Sequence, residues 1–177
     1  MVAFHGSGQL EIFVNYKIKN ISKENFKNYG DLITTSNKNY ESINKDTTDS
    51  FFDLANIQII GDDKRSRLNI FQAKKRNFPL KINMLENHPF SSQVFLPFNS
   101  TGFLVLVAPI GDKPKIDLIE IFKVSGGDGI NFNPKVWHFP LISLENEKYI
   151  TIDKKDADNN IEIYNFEQSE IFELNYE

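Results

Sequence analysis

Cysteine is missing from the chain, and that one absence removes disulfides, thiolate metal ligands and a cysteine nucleophile together. It suits a reducing compartment, and the cytoplasm is the location expected. Long apolar runs are missing too: the longest, Phe103 to Ile110, is far too short to cross a bilayer. Met1 to Lys17 lacks the basic start and continuous apolar stretch of a secretory signal. No membrane partner is therefore expected. A long basic run is also lacking, because lysine and arginine are interleaved with aspartate and glutamate at a formal net charge of -4. That pattern gives no footprint for a phosphate backbone, so nucleic acid is not an expected partner. Neither a G-x-S-x-G elbow nor a P-loop or Rossmann fingerprint occurs, which argues against a serine hydrolase and against an organic nucleotide cofactor.

What the chain does contain is phenylalanine, 16 copies in 177 residues, within a hydrophobic share of 40%. A chain of this size can bury a sizeable core as one domain. Met1 to Gly8 reads as a loose leader and Leu10 to Tyr16 as a strand, so residues 1–17 are set apart as an N-terminal extension. The domain proper is expected over residues 18–177. Ser22 is a natural N-cap, its hydroxyl able to satisfy an early orphan N–H of a short helix ending near Tyr29-Gly30. Asp31 to Thr35 should leave that helix as a strand. From Ser36 to Ser50 the chain is mostly Asn, Lys, Thr, Ser and Asp, and reads as a long solvated loop.

Beyond it come short strand-like runs: Phe51 to Ile60, Leu68 to Ala73, Leu80 to His88, Gln93 to Pro97, Phe103 to Pro109 and Ile116 to Lys123. Ile130 to Phe132, Phe139 to Leu144, Tyr149 to Asp153 and Ile161 to Phe166 complete them. Glycine, asparagine and aspartate turns separate the runs, as at Gly126-Gly127-Asp128-Gly129 and Asp156 to Asn160. Regular short strands between such turns predict an all-β sandwich or closed barrel.

Two stretches carry the polar residues that a core does not ask for. Ile82, Met84, Glu86 and His88 share strand parity, so a face that begins apolar ends in a carboxylate and an imidazole. Pro89 to Ser92 can turn the chain and bring Gln93 beside them at the mouth of a hairpin. Glu86, in line with apolar residues, must be paired, hydrated or functional. The second stretch runs from Gly126 to Pro140 and carries Trp137 and His138. Taken alone, His138 reads as a hydrogen-bonded core histidine and Trp137 as a packing residue.

In order along the chain, Pro79-Leu80, Leu85-Glu86-Asn87-His88-Pro89, Ser92-Gln93, Phe95-Leu96-Pro97 and Phe103 to Pro109 resemble the ureidoglycolate lyase family. Gly129-Ile130-Asn131-Phe132 and Val136 to Leu141 continue the likeness, with weaker similarity at Tyr29-Gly30-Asp31, Ile43-Asn44, Phe71-Gln72-Ala73 and Asp153. The resemblance runs from about Ile18 to the C-terminal region. It implies a cupin-like double-stranded β-helix with one or two short helices. It also implies a homodimer and conversion of (S)-ureidoglycolate to glyoxylate and urea, in the recovery of purine nitrogen through allantoin.

In that light Glu86, His88 and His138 become the expected catalytic residues, and Gln93, Asn131, Trp137 and Gln72 the expected contacts to substrate. The order Glu86-x-His88-x4-Gln93 followed by His138 is also similar to metal-binding cupins, which implies one divalent ion held by Glu86, His88, Gln93 and His138. A neutral amide in place of a carboxylate or imidazole weakens that set. The chain departs from the family pattern at Gln72 and Lys154, where arginine is common, at Phe132, where tyrosine is common, and at Phe139, where a histidine is common. These departures keep two alternatives in view: another cupin-type enzyme acting on a small polar carboxylate, and a non-catalytic module that binds a small molecule.

Overall fold

The computed structural model describes residues 16–155 and 159–176. The leader and the strand expected over Leu10 to Tyr16 fall almost wholly outside these residues, as does most of the turn Asp156 to Asn160. In chain order the elements are β1 (Ile18–Asn20), α1 (Lys23–Phe26), β2 (Gly30–Ile33), β3 (Glu41–Ile43), β4 (Thr48–Ser50), β5 (Ser66–Ala73), β6 (Leu80–Ile82) and β7 (Met84–Asn87). There follow β8 (Gln93–Pro97), β9 (Phe103–Ala108), a 3-10 turn (Ile116–Leu118), β10 (Glu120–Val124), β11 (Gly129–Phe132), β12 (Trp137–His138) and β13 (Ile142–Ser143). The last three are β14 (Glu147–Lys154), β15 (Glu162–Asn165) and β16 (Phe172–Leu174). The architecture is all-β, as a cupin-like chain requires.

Two sheets make up the body. One runs β1-β10-β9-β12-β7-β15, with β13 also pairing β9; the other runs β2-β11-β8-β14-β5. Strand β9 explains why they stack. Its run Phe103-Leu104-Val105-Leu106-Val107-Ala108 is buried throughout. Since successive side chains point to opposite faces, Phe103, Val105 and Val107 enter one core and Leu104, Leu106 and Ala108 another. The first core lies between the sheets, where Phe26, Tyr29, Phe95, Phe122, Phe132 and Tyr149 meet. The second lies on the far face and is closed by β6 and β16, which pair with each other and contribute Ile82, Phe172 and Leu174.

The helix is short and well capped. Ser22 Oγ accepts from Asn25 N at 3.3 Å while Asn25 Oδ1 accepts from Ser22 N at 2.8 Å, a reciprocal capping box. It stops at Phe26 rather than near Gly30, so that Phe26 turns fully into the core. Gly30 then opens β2 at φ +154°, where a Cβ would sit 1.9 Å from the carbonyl oxygen of Asn131 on β11. No other residue lets the two backbones approach so closely.

Four expectations need correction. Ser36 to Ser50 is not all loop: β3 and β4 pair as a hairpin, with Asn44, Lys45 and Asp46 at positive φ forming its tip. Phe51 to Ile60, for all its apolar residues, is not a strand; it touches the sheet through an isolated bridge between Ile59 and Ser91. Its main chain is held by side chains instead: Asn56 N donates to Asp31 Oδ2 at 2.9 Å, and Asn131 Nδ2 donates to that same oxygen at 2.9 Å and to Asn56 O at 3.0 Å. Leu80 to His88 breaks at Asn83, so Ile82 belongs to β6 and Glu86 to β7, in different sheets. Finally, β7 and β8 form no hairpin, because the turn between them carries the chain from one sheet to the other.

Phe26 anchors the aromatic centre, with Phe122 5.6 Å away edge-on. Phe26→Ala is expected to lower unfolding stability by about 3–5 kcal/mol in denaturant titration. Phe52→Ala, at a position 57% exposed, should change it by less than about 0.5 kcal/mol.

Candidate active site

Across the larger sheet, one row of directly paired residues runs Val107, His138, Glu86, Ile163. Direct cross-strand partners share a face, and Val107 points into the core between the sheets. His138 and Glu86 therefore face that interior together, from adjacent strands. Their nearest approach is His138 Nε2 to Glu86 Oε1, 3.7 Å. His88 follows the end of β7 with the parity of Glu86, and its ring centroid lies 5.3 Å from that of His138. One ligand atom from each of Glu86, His88 and His138 lies within 4.8 Å of the others.

Both imidazoles are oriented by main-chain acceptors. His88 Nδ1 is 2.7 Å from the carbonyl oxygen of Asn160, and His138 Nδ1 is 2.9 Å from that of Val136. A carbonyl can only accept, so each Nδ1 carries the proton and each Nε2 presents a lone pair. Those two Nε2 atoms, together with Gln93 Oε1, are buried without a hydrogen-bond partner. Asn160 fixes the local chain further, its Oδ1 accepting from Phe90 N and its Nδ2 donating to Ser91 Oγ. The ring of Phe132 stacks on His138 at 4.3 Å and 15°.

Burial sets the charges. His138 is 2% exposed, and loss of solvent, with His88 beside it, depresses its pKa from 6.5 to about 3. It is neutral at physiological pH, so its contact with Glu86 is not an ion pair. Desolvation pushes the Glu86 carboxyl up from 4.5, with His88 pulling weakly the other way. Two orphaned imidazole nitrogens and a carboxylate converging at this spacing fit a divalent cation: neutral Nε2 ligands with Nδ1–H secured behind them are its usual donors.

A cavity of about 610 Å³ opens over Glu86, Gln93 and Phe95. Its walls are Ile70 to Arg76 on one side and Pro140 and Leu141 on the other. Of the expected substrate contacts, Gln93 and Gln72 line it. Asn131 points to the other face of its sheet, where it holds Asp31 and Asn56. Trp137 belongs to the second core and donates through Nε1 to Gly111 O at 2.9 Å. Their parity explains this: Asn131 neighbours the inward Ile130 and Phe132, and Trp137 neighbours the inward His138. Lys154 caps the carbonyls of Ile60 and Asp63, while Asp153 pairs with Arg67 at 2.6 Å. Asn160 was hidden from sequence reasoning, since its contribution to His88 is a main-chain oxygen. Lys74-Lys75-Arg76 did carry a signal, three cations in a row directly after a strand.

A family model described as ureidoglycolate lyase matches residues 14–173. A protein of Pseudomonas aeruginosa (strain LESB58) named ureidoglycolate lyase is 36% identical over 155 residues, covering 87% of this chain and 92% of its own. A ureidoglycolate lyase of Pseudomonas putida (strain GB-1) is 33% identical over 159 residues, covering 89% and 95%.

The depressed pKa of His138 has a stability consequence in protein free of divalent metal. Below pH 6.5 the unfolded chain takes up a proton that the folded chain refuses until about pH 3. Stability should therefore fall as pH drops through that window, by up to about 1.4 kcal/mol per pH unit. Glu86, raised instead, acts in the opposite sense above pH 4.5. Chemical denaturation of the wild type and His138→Gln from pH 7 to pH 4 should show the shallower acid slope in the variant.

Proposed function

The chain belongs to the ureidoglycolate lyase family, and from that premise we propose that it eliminates urea from (S)-ureidoglycolate to leave glyoxylate, with Glu86, His88 and His138 as the acid–base centre. The observation that carries the reading is the convergence of two buried, unpartnered imidazole Nε2 atoms on one desolvated carboxyl, that of Glu86, which itself lines an open cavity.

The reaction needs a proton removed from the carbinol hydroxyl and another delivered to the departing urea nitrogen as the carbon–nitrogen bond breaks; no water is consumed. His138, held neutral at great cost to its basicity, is a poor proton acceptor and serves as a fixed hydrogen-bond acceptor. That leaves His88 Nε2, aimed by the carbonyl of Asn160, to take the hydroxyl proton. Glu86, whose desolvated carboxyl retains its proton to higher pH, is suited to deliver one to nitrogen. Gln93 Oε1, buried and unpaired, supplies an acceptor for the ureido N–H groups. Glu86, His88 and His138 would also hold a divalent cation, which when bound lowers the pKa of a ligated hydroxyl. Among the described residues no helix is long and apolar enough to cross a membrane, and the proposal places the enzyme in the cytoplasm.

We also propose that the working unit is a homodimer joined through the outer face of the five-stranded sheet. Opposite the buried Tyr149 and Phe95, that face carries Ile150 and Ile152 of β14 in register with Ile70 and Leu68 of β5 and with Leu96 and Val94 of β8. Leu68 is 65% and Ile70 57% exposed. A two-fold axis would lay such a stripe on its own copy, covering apolar area on both sides at once.

Incubation with (S)-ureidoglycolate should yield glyoxylate and urea in equal amounts. Glu86→Gln, His88→Gln and His138→Gln should each lower turnover roughly a hundredfold or more. Absence of both products from the wild type, before and after divalent ions are supplied, would sink the assignment; a chelator that abolishes turnover would place the ion in the working enzyme. For the dimer, Leu68→Lys should shift light scattering to the mass of one chain at concentrations where the wild type shows two. A wild type of single-chain mass throughout would remove that proposal.

A further inference from the structure

The cavity over Glu86 has three formal cations in its wall, and they are consecutive: Lys74, Lys75 and Arg76. They follow directly on the end of β5. Their main chain is tied to β13 and the turn that follows it, Arg76 N donating to Ser143 O at 2.9 Å and Lys75 N to Asn146 Oδ1 at 3.0 Å. Placement at the rim is therefore fixed by the backbone, while the side chains stay exposed.

The three are not equivalent. Lys75 is already committed, with Nζ 2.9 Å from Glu145 Oε1. Among the described residues, neither Lys74 nor Arg76 takes part in an ion pair. Nor does the pocket's own carboxyl pair with them: the nitrogen within 4 Å of Glu86 is His138 Nε2, at 3.7 Å. The remaining polar groups of the wall, Gln72 and Gln93, are neutral amides. A carboxylate loses water on entering this cavity and needs a counter-charge there, and the wall offers two that take part in no ion pair among the described residues.

We propose that Arg76 is the carboxylate-binding residue of this pocket, its guanidinium holding the substrate's carboxylate while the carbinol carbon lies over Glu86 and His88. The inference rests on the elimination reading for the identity of the substrate. Arginine suits the task better than Lys74 because its planar fork meets both carboxylate oxygens at once. Lys74, as a flexible point charge beside it, adds attraction without orientation. The contact is distant from the bond that breaks and is made alike in ground and transition states, so its loss should appear in KM.

Two measurements on purified full-length protein decide it. Steady-state kinetics with (S)-ureidoglycolate should show KM raised roughly tenfold or more in Arg76→Ala, kcat within about threefold of wild type, and Arg76→Lys in between. Calorimetric titration with glycolate, which carries the same hydroxyl and carboxylate but no scissile bond, should show the same loss of affinity. Lys81→Ala, removing an exposed cation of β6 away from the cavity, serves as the charge-matched control, and circular dichroism checks that each variant is folded. Wild-type KM and glycolate affinity in Arg76→Ala would overturn the proposal while leaving the reaction standing. Should the wild type leave ureidoglycolate intact, loss of glycolate binding in Arg76→Ala keeps the carboxylate site and dismisses the reaction alone. A wild type that does not bind glycolate overturns the assignment of Arg76.

Discussion

Everything in this molecule leans on a strand that has no wet side. Burial of β9 on both faces obliges the chain to supply two coverings, one from the five-stranded sheet and one from the β6–β16 pair. The site inherits its position from that obligation. Val107 of β9 faces the inter-sheet core, and pairing with β12 and then β7 carries the same inward direction to His138 and Glu86. Two polar side chains thus arrive in an apolar interior because they are in register with a valine. Displacing either strand by one residue would turn them to the other face.

That interior gives the site its chemical character. An imidazole and a carboxyl on an exposed sheet would titrate at ordinary values and exchange partners with water. Here desolvation disfavours both the protonation of His138 and the ionisation of Glu86, so each is pushed toward its neutral form. The arrangement detracts from stability, leaving Nε2 atoms and an amide oxygen unpaired where each costs about 1–3 kcal/mol. A folded chain that tolerates such groups together, beneath an opening, has a use for them.

Much of this was legible in the residues. The continuous apolar run at Phe103, the cap at Ser22 and the parity of Glu86 with His88 each carried a physical signal that the fold obeys. Failures came where the local pattern was outweighed by partners far along the chain. Phe51 to Ile60 has the composition of a strand, yet Asp31 and Asn131 tether Asn56, and only a single bridge to the sheet forms. Ile82 shares parity with Glu86 in sequence, but a break at Asn83 assigns it to another layer. Asn131 and Trp137 stand next to residues that face inward, and alternation alone turns them outward; attention to their neighbours' parity would have excluded them from the cavity.

The acceptors behind the two histidines are main-chain oxygens, and this has an evolutionary meaning. A carboxylate or amide in that position would be a second letter of the motif, lost or kept by point mutation and visible in any comparison of sequences. The carbonyls of Val136 and Asn160 belong to every residue type alike. Exchange of either side chain leaves a carbonyl behind, and the tautomers of His88 and His138 persist so long as the path of the chain is kept, a path that the amide of Asn160 and the buried Val136 help to hold. Insertions and deletions nearby are what endanger the chemistry. The connection between β14 and β15, in its length and at Asn160, is where a descendant of this protein would lose its site.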